Sequence, residues 1–339
     1  MVSGLHSKLP RPLATAALAA AFLCLAPSPA SAQTRDLSGR IIPRNPLQAA
    51  KDTLLSIEVH PLAKGVYAAK NRFVWNGWVE LPEGILVIDG GYNARSAGAL
   101  ADTIRARSPG KPFRYLVVTS GHVEHLGGVR TFASLGATVL AHPTVAAALK
   151  DSIPAAPDAA GSKRAMGPVA EVKDSLVLGP PDRPVEIRWL GRAANSPGDI
   201  FVHLKKERVL FTGDLAWYRS VPWLVDAEFS YEGWIATLDT LLTRRFDADS
   251  LVPGHGRIAQ RFQGLEYTKY YLLDAMLKAG RMAAWGIAPE AMEEQGYLGA
   301  YEEDEYYDPI HFYNMKRLHQ LSKGIRTPGR AVPGMVVPR

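Results

Sequence analysis

The chain of 339 residues holds a single cysteine, Cys24. One thiol cannot build a disulfide framework, nor supply a multi-cysteine zinc or iron–sulfur site. Beyond the first thirty residues no apolar stretch approaches the roughly 20 needed to cross a bilayer, which excludes integral-membrane architecture. A clustered basic stripe is also missing. The net charge of +6 is mild and scattered, part of it in the tail at Lys323, Arg326, Arg330 and Arg339, which argues against a nucleic-acid platform. What is present suits a globular fold: 47% hydrophobic and 21% charged residues allow a real core. Nine histidines leave histidine–carboxylate metal chemistry open.

The first residues read as an address label. Lys8 and Arg11 precede an apolar run from Leu13 to Leu25, followed by Pro27, Pro29 and then Ala30-Ser31-Ala32. A basic start, a short apolar centre and a small-x-small site describe a secretory signal cleaved after Ala32. A lipoprotein signal would use Cys24, but Leu23 stands where a small residue is wanted. Removal of the leader takes away the one cysteine and two positive charges. The mature chain is then expected in the periplasm or outside the cell, where a cysteine-free protein is at ease.

Residues 33–53 are polar and proline-containing and read as an exposed lead-in. Strands are expected at Leu54–Val59, Val66–Ala69, Phe73–Leu81, Ile85–Ile88, Tyr115–Thr119 and Ala137–Ala141, then at Leu176–Leu178, Val185–Leu190, Ile200–Leu204, Val209–Phe211 and Ser250–Val252. Helical spacing marks Ala97–Ala106, the segments beginning near His125 and Thr144, Trp234–Leu242 and Leu265–Ala284. The stretch 152–170, rich in Ala, Pro, Gly and Ser, reads as a surface loop, and 326–339 as a disordered tail. Alternating strands and helices predict a layered α/β fold over 54–260 with a helical extension, 261–325, packed on it.

Four short motifs carry the chemistry. Thr119-Ser120-Gly121-His122-Val123-Glu124-His125-Leu126-Gly127-Gly128 follows a hydrophobic strand and gathers two histidines and a glutamate within four positions. Such a loop can aim side chains at one point, as a metal requires. Leu190-Gly191-Arg192-Ala193-Ala194-Asn195-Ser196-Pro197-Gly198-Asp199 joins two strands. Phe211-Thr212-Gly213-Asp214 ends a strand on a carboxylate, and Val252-Pro253-Gly254-His255-Gly256 ends another on a histidine. Earlier, Val87-Ile88-Asp89-Gly90-Gly91 places a carboxylate at a strand end.

In order and spacing these motifs resemble the metallo-β-lactamase superfamily over about residues 54–260. The resemblance implies a four-layer αββα sandwich with the motif loops gathered along one edge. It resembles a secreted member with a degenerate motif, Ser-x-His-x-Glu-His. Mapped residue by residue, a first metal position falls on Ser120, His122 and Asn195, and a second on Glu124, His125 and His255 with Asp214 bridging. Serine and asparagine are poor zinc ligands beside imidazole, so the first position is expected to be weak or lost and the second usable. The resemblance further implies small-molecule substrates and a water nucleophile, with Asp214 or His122 as general base.

Three readings stay open from sequence. One is a hydrolase with one metal, drawn from His122, Glu124, His125, Asp214 and His255, acting on an ester, thioester, lactone or amide-type bond. Another is a non-catalytic binding or assembly module. The third is an iron or manganese site rather than zinc, which a carboxylate-rich set favours. Trp217, Tyr218, Arg219 and Trp223 are candidates for the substrate mouth. Trp75 and Trp78 are expected in the core, His142 is set aside as structural, and Tyr301–Asp308 is expected to be a solvated connector. His311 and His319 lie eight apart on one expected helix, with nothing pairing them.

Overall fold

The computed structural model describes residues 57–152, 169–226 and 228–326. The expected leader and lead-in, and the tail beyond 326, lie outside the described residues, as does most of the 152–170 loop.

Two sheets form the centre. The first follows the order β1-β2-β3-β4-β5-β6-β7: Ile57–Ala63, Val66–Asn71, Val74–Leu81, Gly84–Ile88, Phe113–Val118, Thr138–Ala141 and Val169–Glu171. Its first four strands are antiparallel hairpin neighbours and its last pairings are parallel. The second runs β13-β12-β11-β10-β9-β8, from Ala259–Gln260 through Ser250–Gly256, Val209–Tyr218, Ile200–Leu204 and Val185–Trp189 to Ser175–Leu178. Here only β11 and β12 pair in parallel.

The alternation of side chains shows why both sheets are covered twice. In β4, Leu86 and Ile88 face the opposite sheet while Ile85 and Val87 face helices. In β10, Ile200, Val202 and Leu204 join the inter-sheet layer and Phe201 points outward to helices. Strands buried on both faces read as continuous apolar runs, as these do. Outside the first sheet, α1 (Ala94–Arg107), α3 (Val129–Ser134) and α4 (Pro143–Ser152) contribute Leu100, Ile104, Phe132 and Val145 to the core. The short α2 (Val123–Leu126) carries the motif histidine. Outside the second sheet lie α5 (Tyr231–Leu241), α6 (Gln263–Ala284), α7 (Met292–Gln295) and α8 (Tyr307–Ser322), burying Trp234, Leu238, Leu265, Leu272 and Leu318. The layers are therefore α, β, β, α, as the motifs imply.

Differences from the sequence expectation have local causes. Helix α1 starts at Ala94, earlier than its apolar spacing suggests, because Asn93 and Ser96 form a reciprocal capping box. Strands β11 and β12 run on through Asp214 and His255, with register shifts around Gly213 that let the ladder continue past the motif. Gly213 has φ +52°, and a Cβ there would lie 2.2 Å from Thr119 Oγ1, so only glycine fits. The Tyr301–Asp308 run is not a solvated connector. Tyr301, Asp304 and Tyr307 are buried, with the Tyr301 hydroxyl donating to Asp274 Oδ2 at 2.7 Å and Tyr267 donating to Asp304. His311 and His319 share one helix and bond apart from each other: His311 Nδ1 meets the Tyr271 hydroxyl at 3.0 Å, and His319 Nε2 donates to the Ile287 carbonyl at 2.9 Å. Trp78 is fully buried in the helix-facing core and Trp75 lies between the sheets.

Candidate metal centre

The site is built where β4, β5, β11 and β12 end along one edge. Asp89 follows β4 in a left-handed conformation, φ +59°, one that aspartate tolerates better than most residues. Its carboxylate accepts from the Thr119 backbone N–H (2.8 Å) and hydroxyl (2.7 Å), and meets His125 Nδ1 at 2.9 Å. That contact turns His125 Nε2 toward Asp214 Oδ1, 3.0 Å away. The short helix bearing His125 packs against the chain after β4 through glycine. A Cβ on Gly128 would lie 1.9 Å from the Gly90 carbonyl oxygen, and one on Gly127 would lie 1.8 Å from that of Tyr92.

His255 arrives from β12. Its Nδ1 donates to the Phe73 carbonyl at 3.0 Å. A carbonyl can only accept, so Nδ1 carries a proton and Nε2 is the ring nitrogen turned inward. There Nε2 lies 3.2 Å from Asp214 Oδ1 and 3.5 Å from Glu124 Oε1. It is buried and makes no hydrogen bond among the described residues. The Trp217 ring stacks on His255 at 3.8 Å between centroids, and its indole N–H donates to the Asp214 carbonyl.

Ligand atoms of Glu124, His125, Asp214 and His255 all lie within 4.8 Å of one another. His122 falls outside that group of four. Its Nδ1 meets Asp214 Oδ2 at 2.6 Å and its Nε2 meets Asp226 Oδ2 at 2.9 Å. Ser120 Oγ is 3.4 Å from His122 Nδ1, and Asn195 donates from Nδ2 to the Trp223 carbonyl at 2.9 Å. Both Ser120 and Asn195 are buried, and Asn195 Oδ1 has no hydrogen-bond partner among the described residues. In the same loop Asp199 accepts from Ser196 N and Oγ, and burial pushes its carboxyl up to about 6.

Charges are tightly balanced here. Burial disfavours charge on His122, yet its hydrogen bonds to Asp214 and Asp226 win and raise it well above the ordinary histidine range. His125 is raised in the same way against burial, by Asp214 and Asp89. Burial would raise Asp214, but His125 and His122 hold it well below the usual carboxylate range, and Glu124 is lowered by His255 and His122 against its own burial. Two carboxylates and the inward ring nitrogen of His255 crowded into a dry volume favour a cation at their centre. The donor set, two imidazoles and two carboxylates, fits one divalent ion.

The aromatic residues considered for a mouth take different places. Trp217 is buried against His255, and Trp223 is half-buried with its carbonyl on Asn195. Tyr218 is half-buried edge-to-face with Tyr267, and Arg219 is exposed, 3.6 Å from Asp304. His142 bonds the Thr144 hydroxyl at 2.8 Å and tilts against Trp189. Asp226 was missed by sequence reasoning. It lies 104 residues from His122 in a segment without a motif, so nothing local marked it.

A curated relative is the linear primary-alkylsulfatase of Pseudomonas sp. (strain ATCC 19151), 23% identical over 290 residues, covering 71% of this chain and 54% of the relative. The chain thus spans about half the length of that relative. Among solved structures, a metallo-beta-lactamase from Pontibacter korlensis matches with a TM-score of 0.55 and 19% identity, over 65% of this chain and all of that one. DIM-1 metallo-beta-lactamase matches at 0.53 with 18% identity, over 65% and 98%. The Metallo-beta-lactamase superfamily model matches residues 70–255, more than half of the sequence, and the chain belongs to that superfamily.

Proposed function

We propose that the protein is a metal-dependent hydrolase holding one divalent cation on Glu124, His125, Asp214 and His255. Zinc is the first choice, with iron or manganese the alternatives a carboxylate-rich set allows. One observation supports this above all: the buried His255 Nε2, aimed inward by the bond of the opposite ring nitrogen to the Phe73 carbonyl, faces two carboxylates and makes no hydrogen bond among the described residues. A bound cation would supply Lewis acidity, acidifying water and polarising the bond under attack. Ser120 and Asn195 offer no imidazole for a second cation.

The chain's own groups have separate tasks in this reading. Asp89 and the Phe73 carbonyl fix the ring orientations of His125 and His255. Asp214 stays ionised and accepts from His122 at Oδ2. Held protonated between two carboxylates, His122 is suited to give a proton to a leaving group at the site, and Asp226, which is 30% exposed, links its far nitrogen to solvent. That differs from the general-base role expected from sequence. The ester, thioester, lactone or amide-type substrates remain the proposed class, and the alkylsulfatase relative adds alkyl sulfates to the compounds worth testing. The leader-like residues 1–32 support export, with action in the periplasm or outside the cell.

The test is zinc content by native mass spectrometry, paired with turnover of a panel of esters, thioesters, lactones, lactams and alkyl sulfates. One zinc per chain is expected, lost in His255→Ala, with turnover that a chelator removes and zinc restores. Protein with zinc no higher than background, and a His255→Ala variant of unchanged stability, would overturn the reading in favour of a binding module.

A further inference from the structure

The segment after β11 is pinned at every step by distant parts of the chain. Glu305 donates its N–H to the Arg219 carbonyl at 3.1 Å and accepts from the Val221 N–H at 2.9 Å. Asn314, fully buried on α8, donates to the Pro222 carbonyl at 2.7 Å and accepts from the Leu224 N–H at 3.1 Å. Asn195 holds the Trp223 carbonyl between them. Asp226 comes two residues after this clamp, and its carboxylate meets His122 Nε2 at 2.9 Å. The opposite ring nitrogen meets Asp214 Oδ2 at 2.6 Å. Exposure rises along the line from Asp214, fully buried, through His122 at 12% to Asp226 at 30%.

We propose that Asp226 is a positioning residue for His122, holding the ring by its outer nitrogen so that Nδ1 points at Asp214, and that the C-terminal helix α8 sets this geometry through Asn314. A histidine ring has one torsion that can flip it and another that can swing it away. One hydrogen bond leaves the swing open, whereas bonds at both nitrogens to carboxylates on separate elements fix the ring plane. The clamp matters because Asp226 has no regular element of its own. Without the Asn314 and Glu305 bonds, the segment carrying it would be an ordinary loop with the mobility loops have. The helical segment is thereby part of the site rather than an appendage beside it. The catalytic value of a fixed His122 rests on the hydrolase reading; the positioning itself does not.

The experiment uses the full chain with histidine ring nitrogens labelled with nitrogen-15, metal-free and zinc-loaded, with His122→Gln assigning the His122 signals. In the parent protein the His122 Nε2–H resonance should be visible and protected from solvent exchange. Asp226→Ala should lose it or speed its exchange at least tenfold, while the thermal transition stays cooperative. Asp226→Asn, whose amide oxygen still accepts, should retain protection. Asn314→Ala should speed exchange of the same proton without touching the site directly. An unchanged, protected His122 signal in Asp226→Ala would overturn the assignment of Asp226, and an unchanged signal in Asn314→Ala would overturn the role of α8. Zinc content measured on the same samples separates the two readings. A parent protein that binds no zinc but shows the expected ring signals fails the hydrolase reading and keeps this one.

Discussion

Asp89 Oδ2 and His125 Nδ1 meet at 2.9 Å, both wholly buried, with the carboxylate also taking two hydrogen bonds from Thr119. A carboxylate behind a histidine fixes which nitrogen faces the cation and raises its basicity. Its loss commonly costs about 10- to 100-fold in metal affinity. Asp89→Asn should therefore weaken zinc binding by that order in a chelator competition titration, with the fold retained. An affinity equal to the parent's would place His125 outside the metal site.

Gly128→Ala should destabilise the protein. The new methyl would sit 1.9 Å from the Gly90 carbonyl oxygen, a backbone atom that cannot swing aside. Overpacking of this kind costs about 1–3 kcal/mol, read as a lower urea midpoint with unchanged slope. Zinc affinity should fall with it, because the same contact seats the helix that carries Glu124 and His125.

The strands were legible because both faces of each are apolar or alternate cleanly, as in Ile200–Leu204, whose bounds agree with the expectation. The motifs were legible because strand ends, glycines and chemistry-bearing side chains coincide there. Less could be seen in β11, since continuation of a ladder through Gly213 depends on Thr119 lying beneath it. Tyr301–Asp308 misled because acidic and aromatic residues alternate between solvent and core there, giving a polar composition to a half-buried segment. Asp226 was invisible because its partner is 104 residues away and its loop is held by Asn314 and Glu305, contacts that no local pattern encodes.

Leu318→Ala should show that the C-terminal helices belong to one folding unit with the second sheet. Leu318 is fully buried in the core shared by α5, α6, α8 and β11. Truncating such a residue costs about 2–5 kcal/mol. Denaturation followed by far-ultraviolet dichroism and by tryptophan emission should shift together in a single transition. A separate early phase confined to one probe would contradict this.

His311 should make the protein acid-sensitive away from the candidate metal centre. Burial lowers it to about 4, against the Gly296 carbonyl that favours the charged ring, and with help from the charge of Lys278. The folded state thus prefers neutral His311, while the unfolded chain protonates near the ordinary value of about 6.5. Its stabilising contribution is complete above that value and fades as pH falls toward 4, by about 3 kcal/mol in total. His311→Gln cannot titrate, so its stability should fall less between pH 7 and 4.5 than the parent's. Parallel pH profiles of the two proteins would refute the assignment.

The stack of Trp217 on His255, 3.8 Å between ring centres, has an optical consequence. An indole in van der Waals contact with an imidazole senses any change in that ring's charge or electron density. Occupation of His255 Nε2 would alter it directly. Of the seven tryptophans, Trp217 has its own N–H on the Asp214 backbone carbonyl as well, so two sides of its environment answer to the same event. In the proposed metal-dependent hydrolase, Trp217 would be a built-in fluorescent gauge of cation occupancy, one that needs no added dye and that Trp217→Phe would remove.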